Sequence, residues 1–385
     1  MAELIDYVES AAEDTNPLGT YELHLLATDA EPEGDRLIIF SGAGGTADAA
    51  ADLEVQLTDV ADAELVHMVF GISSTGEYHG LSAIAHSEFG AGYIKYRRTN
   101  HASASAKMRQ ASIATLLLGP NDHILRGVGA ESFASTSYED YDGCELTFTP
   151  IGTGDYLFFA FALLDSGSTN AGRIKLVRTG GTIIAEQLIG ARESVDIFPW
   201  TVHRRVTLTA GTSTTVKVQA RAEIDTVGIS ISQVCIAALY VPDLRGVYYA
   251  ESTGATAVFS TKANKTSKTF CPPRELQHLI IGSSQSESDG ASASHEIGLD
   301  YDEETLLLCN YTNTGTNLVR STFGAYARTV PRAFHRAATT GRDSGGVSTG
   351  TIRNSMVSII DPVEIGPHTV WVKGKTQILG KTQVL

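Results

Sequence analysis

The sequence predicts an all-β protein of three tandem β-sandwich, jelly-roll-like domains followed by a short C-terminal strand segment. Three observations support this fold class. One unit of about 121 residues occurs three times in the 385-residue chain. Short alternating strands are separated by Gly, Ser, Thr and Asp, as in sandwiches and jelly rolls. The chain also exceeds the roughly 250 to 300 residues at which a single core stops growing, so more than one core is expected.

The first repeated element opens each unit. Leu125-Arg-Gly-Val128 followed by Ala130-Glu131-Ser132 returns as Leu244-Arg-Gly-Val247 followed by Ala250-Glu251-Ser252. A weaker copy, Val8-Glu9-Ser10, lies near the start of the chain. Self-similarity at a fixed interval is the signature of a repeat architecture.

Two further elements recur at the same spacing. A strand followed by small residues appears as LIIF before Ser41-Gly-Ala-Gly-Gly45, as YLFFAFALL before DSGS, and as LII before GSS. These small-residue stretches are predicted to be loops. A closing strand begins at Met108, Ile231 and Ile352, offsets of 123 and 121 residues, and its Gln or Asn positions coincide in all three copies.

The middle copy gives the clearest strand pattern. Seven predicted strands read CELTFTP, YLFFAFALL, RIKLVRT, TIIAEQLIG, RRVTLTAG, TTVKVQARAEI and VCIAALYV. The alternation in RVTLTAGTSTTVKVQA, with Ala-Gly-Thr at the bend, predicts a hairpin. The same alternation fits a jelly roll and an immunoglobulin-like strand order, so both topologies remain open.

Proline and polar residues at Gly119-Pro-Asn-Asp122 and Val241-Pro-Asp243 mark the joins between copies. The predicted domains are residues 1–120, 121–243 and 244–365, with a C-terminal interaction segment over 366–385. Because the repeat is much longer than that of a solenoid, we expect beads on a string instead of a continuous stack.

The C-terminal segment departs from the repeat. After Ile365 the chain contains the hexad Gly-Lys-Thr-Gln-aliphatic-Leu twice, from Gly374 and from Gly380. Such a strand, with lysines and no acidic residue, suits the sheet edge of an acidic neighbour. A strand folded back on the third domain is the alternative.

Charge and composition exclude several classes. The net charge of −15 argues against nucleic-acid binding, which needs clustered Lys and Arg. No apolar run is long enough to span a bilayer, and the N-terminus lacks the basic and apolar regions of a signal peptide. The four cysteines (Cys144, Cys235, Cys271 and Cys309) are far apart, which indicates reduced thiols.

Motifs for chemistry are incomplete. Ser41-Gly-Ala-Gly-Gly-Thr46 approximates a dinucleotide fingerprint, but the repeat register predicts that the following LEVQL is a strand and not the required helix. Gly346-Val-Ser-Thr-Gly350, with Asp361 and His368, resembles a nucleophile elbow, yet a strand is predicted after Ser348 where a helix is needed. The Gly-Lys-Thr triplets at Gly374 and Gly380 lack the upstream P-loop glycine.

Charged clusters also favour a structural interpretation. The acidic runs at 139–142 and 300–304 offer oxygen ligands but complete no calcium loop. The eleven histidines show no metal-ligand spacing. His203-Arg-Arg205 near Trp200 suits a glycan or another subunit, although alternating polar residues on a strand more often form a solvated face. No catalytic, cofactor-binding or metal-binding residue is therefore assigned, and no cofactor is expected.

The middle copy, through LTAGTSTTVKVQARAE to ISQVCIAALYV, resembles β-sandwich domains common in structural proteins of tailed bacteriophages and related viruses. All three copies match the closing strand, whereas the first lacks the Ala-Gly-Thr hairpin. The resemblance implies a capsid decoration, neck, tail or fibre component, assembled in the host cytoplasm and located in the virion. It carries over no functional residue.

We therefore expect a non-enzymatic virion structural protein that acts by oligomerisation and by contacts with the particle or host surface. Its expected partners are copies of itself, a trimer being one form, other virion proteins and a host-surface glycan, but neither nucleic acid nor membrane. The alternative from another class is a carbohydrate-binding or adhesive array, for which Trp200 and Trp371 are the two available tryptophans. An esterase that uses Ser348 is a third hypothesis.

Overall fold

A computed structural model describes residues 2–17, 20–26, 34–47, 51–59, 63–71, 76–88, 93–99, 105–165, 171–190, 197–223, 228–241, 247–258, 261–272, 275–288, 294–312, 318–343 and 350–360. Within these ranges the chain forms 26 β-strands and no helix, which confirms the all-β fold class. Among the same residues there is thus no helix long and apolar enough to span a membrane.

Sandwich 1 consists of two antiparallel sheets. One has the order β1-β9-β4-β7, with β2 also paired to β9, and the other has the order β3-β8-β5-β6. The strands are β1 Glu3–Ser10, β2 Asp14–Asn16, β3 Glu22–Leu26, β4 Arg36–Thr46, β5 Asp52–Thr58, β6 Glu64–Gly71, β7 His79–Ser87, β8 Tyr93–Thr99 and β9 Ala106–Leu117.

Sandwich 2 has the same arrangement without the short extra strand. Its sheets have the orders β10-β17-β12-β15 and β11-β16-β13-β14, and the first continues through a β15–β6 bridge into the β6-β5-β8-β3 sheet of sandwich 1. The strands are β10 His123–Phe133, β11 Glu139–Phe148, β12 Gly154–Asp165, β13 Ala171–Arg178, β14 Thr182–Gly190, β15 Ile197–Leu208, β16 Thr214–Ala222 and β17 Ile229–Val241. The seven strands predicted for this copy are all present, and β10 is the eighth.

Sandwich 3 repeats the pattern with a short extra strand, β19, paired to β26. Its sheets have the orders β18-β26-β21-β24 and β20-β25-β22-β23. The strands are β18 Val247–Ser252, β19 Thr256–Val258, β20 Ala263–Phe270, β21 Leu276–Ser288, β22 Ser294–Tyr301, β23 Glu304–Thr312, β24 Leu318–Val330, β25 His335–Asp343 and β26 Gly350–Ile360.

The three sandwiches share one topology, that of a jelly roll. If the eight main strands of each are numbered in chain order, the first sheet reads 1-8-3-6 and the second 2-7-4-5 in every copy. This interleaved order of eight strands in two sheets is the double Greek key of jelly rolls. We call the 1-8-3-6 sheet the inner sheet and the 2-7-4-5 sheet the outer sheet.

This topology overturns the predicted hairpin between β15 and β16. The first strand pairs with β12 in the inner sheet, whereas the second pairs with β11 and β13 in the outer sheet. Turn residues between two alternating strands indicate a reversal of the chain, but they do not determine whether the strands pair in one sheet or cross between two.

The inner sheets are buried on both faces. In β12, Tyr156 and Phe158 pack into the core of sandwich 2, whereas Leu157 and Phe159 join a core cluster that contains residues from all three sandwiches. Every residue of β4 is buried as well. The expectation of beads on a string is therefore wrong, because the sandwiches pack against each other through their inner sheets.

The small residues after LIIF also behave differently from the prediction. The stretch Ser41–Gly45 is part of strand β4, and the GSS stretch at 282–284 is part of strand β21, so neither is a loop. A Cβ at Gly44 would overlap the side chains of Leu53 and Leu81, and one at Gly45 would overlap the backbone oxygen of Glu77. The glycines are needed where other segments approach the strand closely, not where the chain turns.

The domain boundaries near residues 120 and 243 stay a prediction. The eight-strand patterns extend over β1–β9, β10–β17 and β18–β26. The C-terminal segment over 366–385 lies outside the described residues.

The contact at Gly45 yields a stability prediction. Gly45→Ala is expected to lower the free energy of unfolding by about 1 to 3 kcal/mol, because the added methyl group meets backbone that has to move. Chemical denaturation followed by fluorescence measures the change.

Gly254→Ala is the matched control, since a Cβ there has nothing within 4 Å. Its effect should stay within about 0.5 kcal/mol. Equal stability of the two variants would contradict the close approach at Gly45.

Candidate functional site

The three closing strands carry the same backbone irregularity. Gln110, Gln233 and Asn354 have positive φ angles of 49°, 52° and 49°. Each lies at a β-bulge against the central strand of its inner sheet, where the register shifts by one residue. A non-glycine residue in this left-handed region costs on the order of 1 to 3 kcal/mol, so other interactions have to hold it there.

The side-chain amide of Gln110 in sandwich 1 forms hydrogen bonds with sandwich 3. Its Nε2 donates to the Thr305 carbonyl at 3.2 Å, and its Oε1 accepts from the Leu308 N–H at 2.9 Å. Both partners lie on β23, the fifth main strand of sandwich 3. The Tyr326 hydroxyl also donates to the Gln110 carbonyl oxygen.

The other two bulge residues make equivalent contacts. Gln233 of sandwich 2 accepts from the His67 N–H at 3.3 Å, on β6 of sandwich 1. Asn354 of sandwich 3 donates to the Glu186 carbonyl at 3.2 Å, on β14 of sandwich 2. In each case the partner is the fifth main strand of another sandwich, so the contacts run from 1 to 3, from 3 to 2 and from 2 to 1.

Contacts between strand edges join the sandwiches in the same order. A backbone bridge joins Ile197 of β15 to Val69 of β6, and another joins Tyr78, just before β7, to Asn310 of β23. The third pair, β14 and β24, is also in contact. The sixth main strand of each sandwich is therefore covered by the fifth strand of another. A heterologous interface that returns to its starting point makes a closed ring.

Small polar side chains join the inner sheets at the centre. Ser112 donates to the Ala325 carbonyl at 2.7 Å, and Ser41 accepts from the Ala325 N–H at 3.0 Å. Ser82 donates to the Thr201 hydroxyl at 2.8 Å. Because these buried hydroxyls form hydrogen bonds, they fix the relative orientation of the inner sheets without the penalty of unsatisfied polar groups.

His203 is the exception in this centre. It is fully buried, lies between Phe159 and Phe323 with ring centroids at 6.0 and 5.9 Å, and has no hydrogen-bond partner on either ring nitrogen among the described residues. Burial, and secondarily the charge of Arg204, hold the pKa of His203 well below its usual value. The imidazole is therefore neutral.

The inner-sheet register shows what occupies this position elsewhere. His203 pairs with Phe159 as Ile84 pairs with Ile39 and as Ala325 pairs with Ile281. A histidine is therefore not required by the jelly roll, because two sandwiches fill the same place with an aliphatic residue.

The predicted solvated face at His203-Arg-Arg205 is wrong. Trp200, His203 and Arg204 are buried at exposures of 0%, 0% and 4%. Arg204 donates to the Asn354 carbonyl at 2.8 Å, and its Nε lies 3.6 Å from Glu251 Oε1. The cluster meets another sandwich of the same chain instead of solvent.

Arg205 continues this contact between sandwiches 2 and 3. Its guanidinium lies 4.0 Å above the centre of the Tyr249 ring and its Nε is 2.9 Å from Asp155. A corresponding ion pair joins sandwiches 1 and 3, where Arg328 binds Glu9 at 2.7 Å. Glu9 and Glu251 are the glutamates of the repeated Val/Ala-Glu-Ser element, which explains part of its recurrence.

The sequence motifs for chemistry are not assembled into a site in the described part of the chain. LEVQL is in strand β5, as predicted, so the dinucleotide fingerprint lacks its helix. Strand β26 begins at Gly350, and Ser348, Asp361, His368 and Trp371 lie outside the described residues. The four cysteines are free, and only Cys271 is exposed.

Part of each acidic run has a basic partner. No group of three His, Cys, Asp or Glu side chains among the described residues is placed to hold a metal ion. Three carboxylates form ion pairs, Asp140 with Lys217, Asp300 with Lys262 and Glu304 with Arg328, and Asp302 binds His335.

Apolar side chains are exposed at one end of the sandwiches. At this end the main strands 1 begin and the main strands 8 terminate, as in the pairs Glu3 with Leu117 and Val247 with Ile360. We call it the linker end. At this end Ile151 and Phe334, on turns, are 74% and 82% exposed, and Ile183, near the start of β14, is 49% exposed.

Comparisons with known proteins add little to this geometry. No protein-family model and no curated protein matches the sequence. Among solved structures, the insecticidal delta-endotoxin Cry8Ea1 from Bacillus thuringiensis matches with a TM-score of 0.23 and 10% identity over 62% of this chain. The present chain spans only 60% of that one.

Two further structures are similar over longer stretches. The triple jelly-roll fold of an archaeal virus turret assembly matches over 94% of this chain and 96% of its own, at a TM-score of 0.21 and 10% identity. A tandem CBM22 domain from Paenibacillus barcinonensis Xyn10C matches over 63% of this chain and 92% of its own, at 0.20 and 8%. Likenesses at these scores carry no functional argument.

The sequence pattern marks the residues of this interface but does not predict their role. The coincidence of Gln110, Gln233 and Asn354 in the closing strand was the available signal. Alternation gives the two faces of a strand, but it does not predict a bulge in which the backbone of one residue turns left-handed.

The bulge contacts predict a stability difference. Gln110→Ala is expected to lower the free energy of unfolding by about 2 to 4 kcal/mol, because it removes two hydrogen bonds and leaves the Leu308 N–H unsatisfied. Gln110→Gly should lose about 1 kcal/mol less, since glycine adopts positive φ freely. Denaturant unfolding of the full chain measures both.

Gln56→Ala serves as the control, because its amide binds Glu64 within sandwich 1 on an exposed surface. Its effect should not exceed about 0.5 kcal/mol. If Gln110→Ala is no more destabilising than this control, the amide does not hold the sandwiches together.

The buried imidazole predicts acid sensitivity. In the unfolded chain a histidine takes up a proton near pH 6.5, whereas the lowered pKa of His203 keeps it neutral in the folded chain. Its contribution is therefore fully present above pH 6.5 and is lost as pH falls, by about 1.4 kcal/mol per pH unit. Denaturation between about pH 7.5 and about pH 5 measures this slope.

His203→Ile introduces the residue type that Ile84 provides in sandwich 1. It should reduce the slope of the unfolding free energy against pH by the contribution of one proton. Gly254→Ala, which changes no titratable group and adds a Cβ with nothing within 4 Å, should leave the slope close to that of the wild type. An unchanged slope in His203→Ile would show that this imidazole does not govern the acid response.

Proposed function

We propose that the chain is a non-enzymatic structural component of a virion, such as a capsid decoration, neck, tail or fibre protein. The observation that carries this proposal is the closed ring of three jelly rolls. The ring uses the broad inner sheets for internal contacts and presents apolar loops at the linker end. A protein built in this way works as a rigid assembly unit.

The linker end provides the contact surface in this proposal. Phe334 and Ile151 are large apolar side chains that are 82% and 74% exposed there. Strand β26 also ends there, at Ile360. A stable contact at this end would bury about 1,200 Å² or more in total.

The absence of catalysis is part of the proposal. Asp140, Asp300 and Glu304 of the acidic runs form ion pairs, and Arg204 lies between sandwiches, which is the arrangement expected of structural groups. An esterase would need a strained turn between a strand and a helix around Ser348, whereas the chain after Gly350 is strand β26.

Association in solution tests the assembly role. The full chain is expected to be oligomeric by light scattering, and a chain ending at Ile365 to be monomeric or more weakly associated. Phe334→Ser should weaken association at least about 10-fold, because it removes an apolar anchor from the contact.

Val128→Ser is the matched control, since Val128 is 66% exposed in the middle of β10 and away from the linker end. It should associate like the wild type. Monomeric behaviour of the full chain would contradict the assembly role. Mass spectrometry of particles purified from cells that carry the encoding genome tests the virion assignment, and the lack of the chain in them would contradict it.

A further inference from the structure

The outer sheet of sandwich 2 carries a polar cavity beside the turn between β13 and β14, at the linker end. The cavity has a volume of about 400 Å³ and is lined by Glu145, Val177, Arg178, Thr179, Gly180, Gly181, Thr215, Lys217 and Gln219. This volume lies within the range of roughly 300 to 1,000 Å³ that small-molecule sites occupy. From the side chains around it, we infer that the cavity binds a neutral saccharide.

The wall of the cavity is held rigidly. The turn between β13 and β14 contains Gly180 and Gly181, with φ angles of 82° and 76°. Thr179 donates its N–H to the Thr215 carbonyl at 2.8 Å, and the Thr179 hydroxyl accepts from the Thr215 N–H at 2.7 Å. A site fixed in this way loses little conformational entropy when a ligand binds.

The lining offers hydrogen-bonding groups of both kinds. Arg178 and Lys217 donate and Glu145 accepts. The Gln219 Nε2 donates to Asp140 at 2.5 Å, which leaves its amide oxygen as an acceptor. Val177 is the one apolar side chain of the lining, and it is 2% exposed. A ligand that displaces water from such a surface has to carry donors and acceptors around its whole outline, as the hydroxyl groups of a sugar do.

Charge around the cavity selects a neutral ligand. Lys217 binds Asp140 and lies 3.9 Å from Glu145, and hydrogen bonding to Asp140 raises the pKa of this lysine. The charges of Arg178 and Lys217 are thus balanced by two carboxylates. A phosphate or nucleotide would need an excess of positive charge, which is missing here.

The turn that borders the cavity is different in sandwich 3. The corresponding turn of sandwich 3 is Asp302-Glu303 between β22 and β23, one residue shorter. There the Asp302 carboxylate binds His335 and the Arg336 N–H, so its polar groups are used internally. Three linked copies can therefore differ in their outer surfaces while they share the ring.

Saturation-transfer NMR on the full chain tests the inference. The probes are the methyl glycosides of glucose, galactose, mannose and N-acetylglucosamine, with sialyllactose as the anionic comparison. At least one neutral glycoside should bind with a Kd of about 1 mM, because no aromatic ring lines the cavity. Arg178→Ala and Gln219→Ala should each weaken binding about 10-fold or more.

Arg332→Ala, at an exposed arginine on the turn after β24, is the matched control and should bind like the wild type. The melting temperature of each variant verifies that it is folded. No transfer to any neutral glycoside, transfer to sialyllactose alone, or binding that both cavity variants leave unchanged would overturn the inference. Failure of the assembly role would not, because a monomer has the same cavity.

Discussion

The structure depends on a left-handed amide residue at the same bulge of three closing strands. The bulge releases Gln110, Gln233 and Asn354 from their own sheets, so that each amide binds the fifth main strand of another sandwich. Because the direction of the contact is the same each time, the third sandwich returns to the first and the ring closes. The cost of three strained backbones is offset by hydrogen bonds that exist only in the assembled ring.

Closure of the ring determines the composition of the inner sheets. Their central strands are covered on one face by the outer sheet and on the other by neighbouring sandwiches. The side chains that point to either face therefore have to be apolar or small. This explains the continuous runs LIIF and YLFFAFALL, in which period-two alternation is lost. It also explains how His203 can be fully buried on a strand edge that, in a separate sandwich, would contact water.

Much of the fold could be predicted because it depends on local pattern. The repeat, the strands of the outer sheets and the closing strands all follow from spacing and alternation. The hairpin between β15 and β16, the loop at Ser41–Gly45 and the solvated face at His203 were wrong for one reason. Each depends on which segment lies opposite in space, and a glycine or an arginine looks the same in sequence whether it faces solvent or another sandwich.

When three jelly rolls are joined in one chain, the residues that form the ring contacts have to stay alike, whereas residues at other positions can differ. In a homotrimer every copy would carry the same residue at each inner-sheet position and the same outer sheet. Here the equivalent inner-sheet positions are Ile84, His203 and Ala325, and only sandwich 2 has the Gly180-Gly181 turn. The linkers keep the sandwiches at high effective concentration. The ring therefore tolerates one buried histidine at this position, whereas a homotrimer would have to bury or protonate three. Covalent linkage thus permits one acid-sensitive residue and one distinct outer surface within an otherwise symmetric framework.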